Sequence, residues 1–258
     1  MLKIALARWR QGHRTIRYPD GPPPPMPDRF RGRPRFAADH CQAGCKACLD
    51  ACPVGAIRCE NGKPVQTDLG KCLFCMDCVW ACPHQAITHD PDYRLAVRQR
   101  SDLILGPADA LKRAAALGGK LQSLLGRSLK LRQVSAGGCN ACEADVNVLG
   151  TVGWDLGRFG IQFVASPRHA DGLFITGPVS ENMRTALQDT YDAVAEPKIV
   201  IASGACAIAG GPFIDHPEIH NGVPPTFPVD LYIPGCPPHP LTILDGLLRL
   251  LGRLPEEK

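Results

Sequence analysis

Twelve of the chain's thirteen cysteines fall into three sets of four. Cys41, Cys45, Cys48 and Cys52 form one run, with Pro53 directly after it; Cys72, Cys75, Cys78 and Cys82 form a second, followed by Pro83. Cys139, Cys142, Cys206 and Cys236 make a third set, dispersed along the chain. Cys-x2-Cys-x2-Cys-x3-Cys-Pro is the ligand pattern of [4Fe–4S] cubanes, whose corner irons bind thiolates; the second run matches it, and the first carries one extra residue between Cys41 and Cys45. Structural zinc is the competing chemistry, but zinc sites normally place two Cys pairs on either side of a longer loop. The proline after each run weighs toward clusters, and the zinc reading makes the chain a metal-stabilised scaffold instead of an electron conductor.

The first two sets lie on an internal repeat. Cys45, Cys48, Cys52, Pro53, Ala56 and Ile57 recur as Cys75, Cys78, Cys82, Pro83, Ala86 and Ile87. Two copies of one short unit predict a pseudo-twofold module over 37–92, each half a ligand loop, a helical turn and a short strand. In two-cluster modules the fourth Cys of each run serves the other cluster. That rule groups Cys41, Cys45 and Cys48 with Cys82, and Cys72, Cys75 and Cys78 with Cys52. A module this small builds little apolar core, so ligation supplies much of its folding free energy. Cys59 is left over; it stands where the second copy has His89, and reads as an inert buried thiol.

After residue 128 the pattern changes. Short apolar runs at Leu129–Val134, Ile161–Ala165, Gly172–Thr176, Lys198–Ala202 and Leu231–Pro234 alternate with helical stretches at Ala141–Leu149, Glu181–Ala195 and Pro240–Leu251. This predicts a mostly parallel sheet with helices on both faces. Cys139, Cys206 and Cys236 each come just past a predicted strand end, the edge at which open parallel sheets place ligands. Three loops can therefore bring four thiolates to one cluster. The expected fold class is an α+β two-cluster ferredoxin module followed by an α/β flavodoxin-like, mostly parallel sheet domain.

Two segments remain. Residues 1–36 read as a basic arm interrupted by Gly21-Pro22-Pro23-Pro24-Pro25, extended and lying on another surface. Residues 93–127 read as a connector with a helical stripe over Ala108–Leu125, which Gly118-Gly119 can divide in two. The organisation is thus 1–36 arm, 37–92 ferredoxin-like module, 93–127 connector and 128–258 sheet domain.

Composition narrows the class. The formal charge is only +4, but residues 1–40 hold nine Arg or Lys against three Asp, a net of +6. Such an arm can meet an anionic lipid surface or an acidic protein face. With 6% aromatic residues and no recognition module, nucleic acid is not expected. No apolar run is long enough for a transmembrane helix, and the opening residues lack the pattern of a signal peptide. In a reducing compartment, cysteines at ligand spacing are metal sites and not disulfides. No dinucleotide fingerprint or phosphate loop occurs.

The chain also resembles known families. The stretch TIRYPDGPPPPMPDRFRGRP with the two cysteine runs resembles the two-cluster ferredoxin subunits of complex I and of formate-hydrogenlyase-type membrane complexes. GGCNACEADV, LFITGPVSENM, ASGACAIAGG and IPGCPPHP resemble the small electron-transfer subunit shared by complex I and [NiFe] hydrogenases. The two resemblances cover nearly the whole chain and imply a fusion of subunits that are normally separate, of the hydrogenase-4 or formate hydrogenlyase type.

They imply three [4Fe–4S] clusters, the third held by Cys139, Cys142, Cys206 and Cys236 nearest a catalytic large subunit. They also imply membrane subunits as partners, a formate dehydrogenase or another donor, and a peripheral position on the cytoplasmic face of the inner membrane. No complete active site is expected in this chain alone. The spaced Cys139/Cys142 pair resembles hydrogenases; complex I has adjacent cysteines, and its quinone-linked relay is the alternative. The family's Glu near the second Cys, implicated in proton traffic, has two counterparts, Glu143 and Asp145. Glu143 equally reads as a first-turn acid favoured by the helix dipole. Gly177-Pro178, Gly210-Gly211-Pro212 and Gly235 read as turns that let backbone approach a cluster or partner. His239 reads as a cap of the last helix, while His84 and His89 have no ligand spacing.

Overall fold

The computed structural model describes residues 2–42, 44–60 and 63–254. Helix α1 (Leu2–Gln11) opens the chain and buries none of its residues; Leu2, Ile4 and Trp9 are exposed. This helix was not expected in the arm. The proline run forbids helix only from residue 22 onward, and residues 2–11 lie well ahead of it. Residues 15–18 of the arm lie against the sheet domain, where the Thr15 hydroxyl donates to Val152 O. The Ile16 N–H donates to Gly153 O at 2.8 Å, Arg158 donates to Ile16 O and Tyr18 O, and the Tyr18 hydroxyl donates to the buried Asp245 at 2.9 Å.

Strand β1 (Arg33–Phe36) belongs to the ferredoxin-like region, so the expected arm boundary at 36 falls at the end of a strand. Next come α2 (Ala47–Asp50), β2 (Ile57–Glu60), β3 (Lys63–Asp68), α3 (Asp77–Trp80) and β4 (Ile87–Asp90). β1 pairs antiparallel with β4, Phe36 opposite Ile87 and Pro34 opposite His89; Arg33 and Arg35 both reach Asp90. The helical turn and strand recur in each half of the repeat. Phe36, Cys48, Ile57 and Ile87 form its small buried core. β2 and β3 continue into a three-stranded antiparallel sheet with β5 (Ile104–Leu105).

The connector is less helical than its stripe predicts. Only α4 (Gly119–Leu125) forms; residues 108–118 have no regular structure. Ala114 and Leu117 are nonetheless buried against the sheet domain, and Arg113 is tied to Asp92 at 3.1 Å. Tertiary contacts, not backbone periodicity, hold this stretch.

The sheet domain runs β6 (Leu129–Ser135), α5 (Ala141–Val148), β7 (Ile161–Phe163), β8 (Gly172–Thr176), α6 (Glu181–Ala193), β9 (Ile199–Ser203), α7 (Ala205–Ala209), β10 (Leu231–Ile233) and α8 (Pro240–Leu250). Five parallel strands lie in the order β10-β9-β8-β6-β7. Counted from β6 this is the flavodoxin-like order 2-1-3-4-5, whose switch point lies between β6 and β8.

Both faces of the sheet are covered. On β8, Phe174 joins the core beneath α8, whereas Leu173 and Ile175 join the core beneath α6. This two-residue alternation buries apolar side chains on both sides, as an all-parallel sheet requires. Every residue of α8 is buried. The two regions share a third core, in which Leu69, Leu103 and Leu105 pack on Ala202, Ala207 and Ile208. Val97 exchanges both backbone hydrogen bonds with Tyr232 and so adds to the β10 edge.

Candidate metal centres

The repeat places its cysteines crosswise. One small cavity is lined by Cys41, Cys45, Cys48 and Cys82, together with Phe36, Ala86 and Ile87. A second is lined by Cys72, Cys75, Cys78 and Cys52, together with Ile57, Thr67 and His89. Each cavity thus takes three cysteines from one half and the fourth from the other. Matching backbone contacts hold the fourth ones: the Ala56 N–H donates to Cys52 Sγ at 3.2 Å and the Ala86 N–H to Cys82 Sγ at 3.3 Å. The Phe74 N–H donates to Cys72 Sγ at 3.4 Å.

Burial makes these thiols hard to ionise. It pushes Cys48 and Cys72 up to about 12 and Cys78 up to about 11, with neighbouring cysteines adding to the burial. A buried thiolate needs a cation beside it. Among the described residues, no three His, Cys, Asp or Glu side chains meet tightly enough to chelate one metal ion. The cysteines ring a space instead. That arrangement suits a cubane liganded at its corners better than a single tetrahedral zinc, whose Zn–S bonds are about 2.3 Å.

The third set assembles at the C-terminal edge of the parallel sheet. Cys139 and Cys142 flank the start of α5, directly after β6 at the switch point; Cys206 lies in α7 after β9, and Cys236 follows β10. Burial raises the Cys142 thiol, and the charges of Cys206, Glu143, Cys236 and Cys139 raise it further. Cys206 is pushed up to about 12, first by burial and then by Cys236 and Cys139. The three loops therefore bring the four cysteines into one neighbourhood. Gly204 makes this approach possible: its φ is +90°, and a Cβ there would lie 2.6 Å from Cys142 Sγ. Gly177 turns at φ +83° against the backbone of Gly138 for the same reason.

Among the acids, Glu143 is buried and accepts 2.6 Å hydrogen bonds from both Ser135 and Thr176, at the ends of β6 and β8. It is more than an exposed first-turn acid. Asp145 is half-buried and its carboxyl is raised by that burial. It lines a cleft of about 320 Å³ with Cys236, Pro238, His239, Phe74 and Arg31. His239 caps α8 as expected, Nδ1 accepting from the Leu241 N–H at 3.1 Å.

Sequence reasoning missed Arg31, which donates to Phe74 O and Cys75 O at 3.2 and 2.7 Å. It holds the ligand loop of the second set, and nothing in its local spacing announced this. Cys75 in turn lies near enough to Cys236 for its charge to raise that thiol, after burial and Cys139.

The family profile described as NADH ubiquinone oxidoreductase, 20 Kd subunit, matches residues 139–250, and a 4Fe-4S binding domain matches residues 65–88. The probable membrane-bound hydrogenase subunit mbhJ of Pyrococcus furiosus is 39% identical over 135 residues, spanning 52% of this chain and 81% of that protein. The chain belongs to the NADH ubiquinone oxidoreductase 20 kDa subunit family. Formate hydrogenlyase subunit 7 of Escherichia coli is 38% identical over 163 residues, 60% of this chain and 64% of its own length. An NADH-quinone oxidoreductase subunit of Phocaeicola vulgatus is 42% identical over 120 residues, 46% of this chain and 61% of its own length. The 20 kDa-subunit match covers all four cysteines of the third set, whereas the 4Fe-4S match covers only the second half of the repeat. Among the described residues no helix is long and apolar enough to cross a membrane.

Proposed function

We propose that this chain is the iron–sulfur electron-transfer subunit of a membrane-associated [NiFe]-hydrogenase or formate-hydrogenlyase-type complex, holding three [4Fe–4S] clusters in line. A [4Fe–4S] cluster, when bound, supplies reversible one-electron transfer. The chain's own residues do the rest. Cys41, Cys45, Cys48 and Cys82 hold the first cluster, Cys52, Cys72, Cys75 and Cys78 the second, and Cys139, Cys142, Cys206 and Cys236 the third. The cleft lined by both Phe74, beside Cys75, and Cys236 is the observation that carries the reading, because it supports a second site close to the third. The shared core around Leu69, Leu103 and Ile208 fixes that separation. Backbone N–H groups on Cys52, Cys72 and Cys82 Sγ favour the more negative, reduced state.

The catalytic chemistry belongs to a partner large subunit set against the exposed Cys139 and Cys236. Membrane subunits and a formate dehydrogenase or other donor complete the complex, on the cytoplasmic face of the inner membrane. The organisation is that of two fused subunits: a 1–36 arm, a 37–92 two-cluster module, a 93–127 connector and a 128–258 single-cluster domain.

Similarity to the Phocaeicola vulgatus NADH-quinone oxidoreductase protein supports a second reading, a relay to a quinone site. The two-residue gap between Cys139 and Cys142 favours the hydrogenase branch. Anaerobic reconstitution with iron analysis and EPR tests the relay: about twelve irons and three reduced-cluster signals are expected. About four irons, or zinc without visible charge-transfer absorption, would refute it. Co-purified large subunit that oxidises hydrogen separates the hydrogenase reading from the quinone-linked one.

A further inference from the structure

His89 carries an unexplained atom. It lies on β4 opposite Pro34, half-buried, and its Nδ1 sits 3.2 Å from Gly32 O. A carbonyl only accepts, so Nδ1 carries a proton and donates. Nε2 is buried with no hydrogen-bond partner. The same side chain lines the cavity of Cys52, Cys72, Cys75 and Cys78. Leaving a buried ring nitrogen without a partner is unfavourable, so its place at the wall of this particular cavity calls for an occupant.

The repeat supplies the comparison. His89 follows Ile87 as Cys59 follows Ile57. Cys59 lies beside the first set, hydrogen-bonded to Cys48 and near Cys41 and Cys45. The same position in each half therefore adjoins one cysteine set, but it carries a weak S–H donor in one half and an imidazole in the other.

We propose that His89 is a positioning residue that donates a hydrogen bond from Nε2 to sulfur of the cluster held by Cys52, Cys72, Cys75 and Cys78, and that the His89/Cys59 difference sets the two ferredoxin-type potentials apart. The proposal rests on the reading that this set holds a cluster. With Nδ1 on Gly32 O, a second N–H makes the ring a cation; burial and the Arg31 charge oppose that, and an anionic group in the cavity offsets them. Hydrogen bonds and positive charge near cluster sulfur stabilise the reduced state and raise its potential. The second cluster is then a better electron acceptor than the first, which favours electron flow toward Cys236.

The test is an EPR-monitored potentiometric titration of the reconstituted full chain and of its His89→Phe and His89→Gln variants. His89→Phe keeps the ring and removes both nitrogens; His89→Gln keeps an N–H near the Nε2 position. One of three midpoints should move to a more negative value in His89→Phe and recover most of that shift in His89→Gln. A purely structural role predicts the reverse order of rescue. Pulsed EPR of 15N-histidine-labelled wild-type protein should show nitrogen coupling to that same cluster. It decides the matter alone if the variants fail to load iron. Unchanged midpoints, or no nitrogen coupling on the second cluster, overturn the inference while leaving three clusters in place. Wild-type protein with about eight irons and no second-set signal overturns the reading beneath it instead.

Discussion

Phe74 and Cys236 sit on different regions of the fold, yet both line one cleft. Cys75 belongs to the ligand loop that Arg31 holds through the Phe74 and Cys75 carbonyls, and Cys236 to the loop after β10. Two observations hold the two loops in place. Val97 is hydrogen-bonded to Tyr232, just before the Cys236 loop, and Arg100 holds Asp68, just before Cys72, at 2.7 Å.

Replacing Cys236 with Ser should remove the third cluster and leave the first two. Iron should fall from about twelve to about eight per chain, and reduction of a partner large subunit should stop. Iron analysis and EPR check this; a chain that retains all three signals would show that another group ligates the third site. The converse variant, Cys52→Ser, should disturb the signal of the Cys72–Cys78 cluster, not that of the Cys41–Cys48 cluster, because Cys52 lines the second cavity.

The Gly204→Ala variant tests how tightly the third site is built. The residue stands at φ +90°, and its new Cβ would lie 2.6 Å from Cys142 Sγ. Left-handed backbone alone costs about 1–2 kcal/mol for a residue with a Cβ, and the clash adds to it. The variant should lose about 2 kcal/mol or more of stability and load less iron at the third site, with the ferredoxin-type signals intact. Wild-type loading and thermal stability would contradict the close approach.

Much of this was legible beforehand for physical reasons. The strands β6 to β10 are short apolar runs between helices, and an all-parallel sheet writes itself that way. The grouping of Cys52 with the second set and Cys82 with the first is the expectation from two-cluster modules, and the two cavities are lined in that grouping. What was hidden is long-range: Arg31 acts on carbonyls, which leave no trace in side-chain spacing, and the Cys75–Cys236 neighbourhood depends on how two regions dock. Helix α1 and the irregular stretch 108–118 show the other limit. Residues 108–118 carry a helical stripe, but docking of Ala114 and Leu117 on the sheet domain took precedence.

Tyr18→Phe should loosen the arm. Asp245 is fully buried and accepts from Tyr18 and from Arg249 at 2.8 Å. Removing the hydroxyl leaves a buried carboxylate short of a donor, worth about 1–3 kcal/mol. Burial already raises the Asp245 carboxyl above its usual range, and Arg249 and Tyr18 pull it back. A folded-state pKa above the unfolded one means that stability falls as pH rises through it. The variant raises that pKa further, so its deficit should grow with pH. Denaturant unfolding at two pH values measures this; a deficit that shrinks with rising pH would remove Asp245 as the cause.

Iron removal should unfold the molecule unevenly. Among the described residues the buried cluster around the first two sets is small, Phe36, Cys48, Ile57 and Ile87, and one of these is itself an expected ligand. The sheet domain keeps its interior whatever happens to iron, with Leu129, Phe174, Ile201 and Leu247 wholly buried. A small region held by ligation folds with its metal and opens without it. Hydrogen exchange on the chelated, reduced chain should therefore show rapid exchange across α2, α3 and β4. Amides of β6, β8 and β9 should stay protected. Leu69, Leu103 and Leu105 pack on Ala202 and Ile208, so the boundary should fall near Asp68, with β5 on the protected side. Equal protection of both regions after iron removal would mean that packing, not thiolate ligation, holds the repeat together.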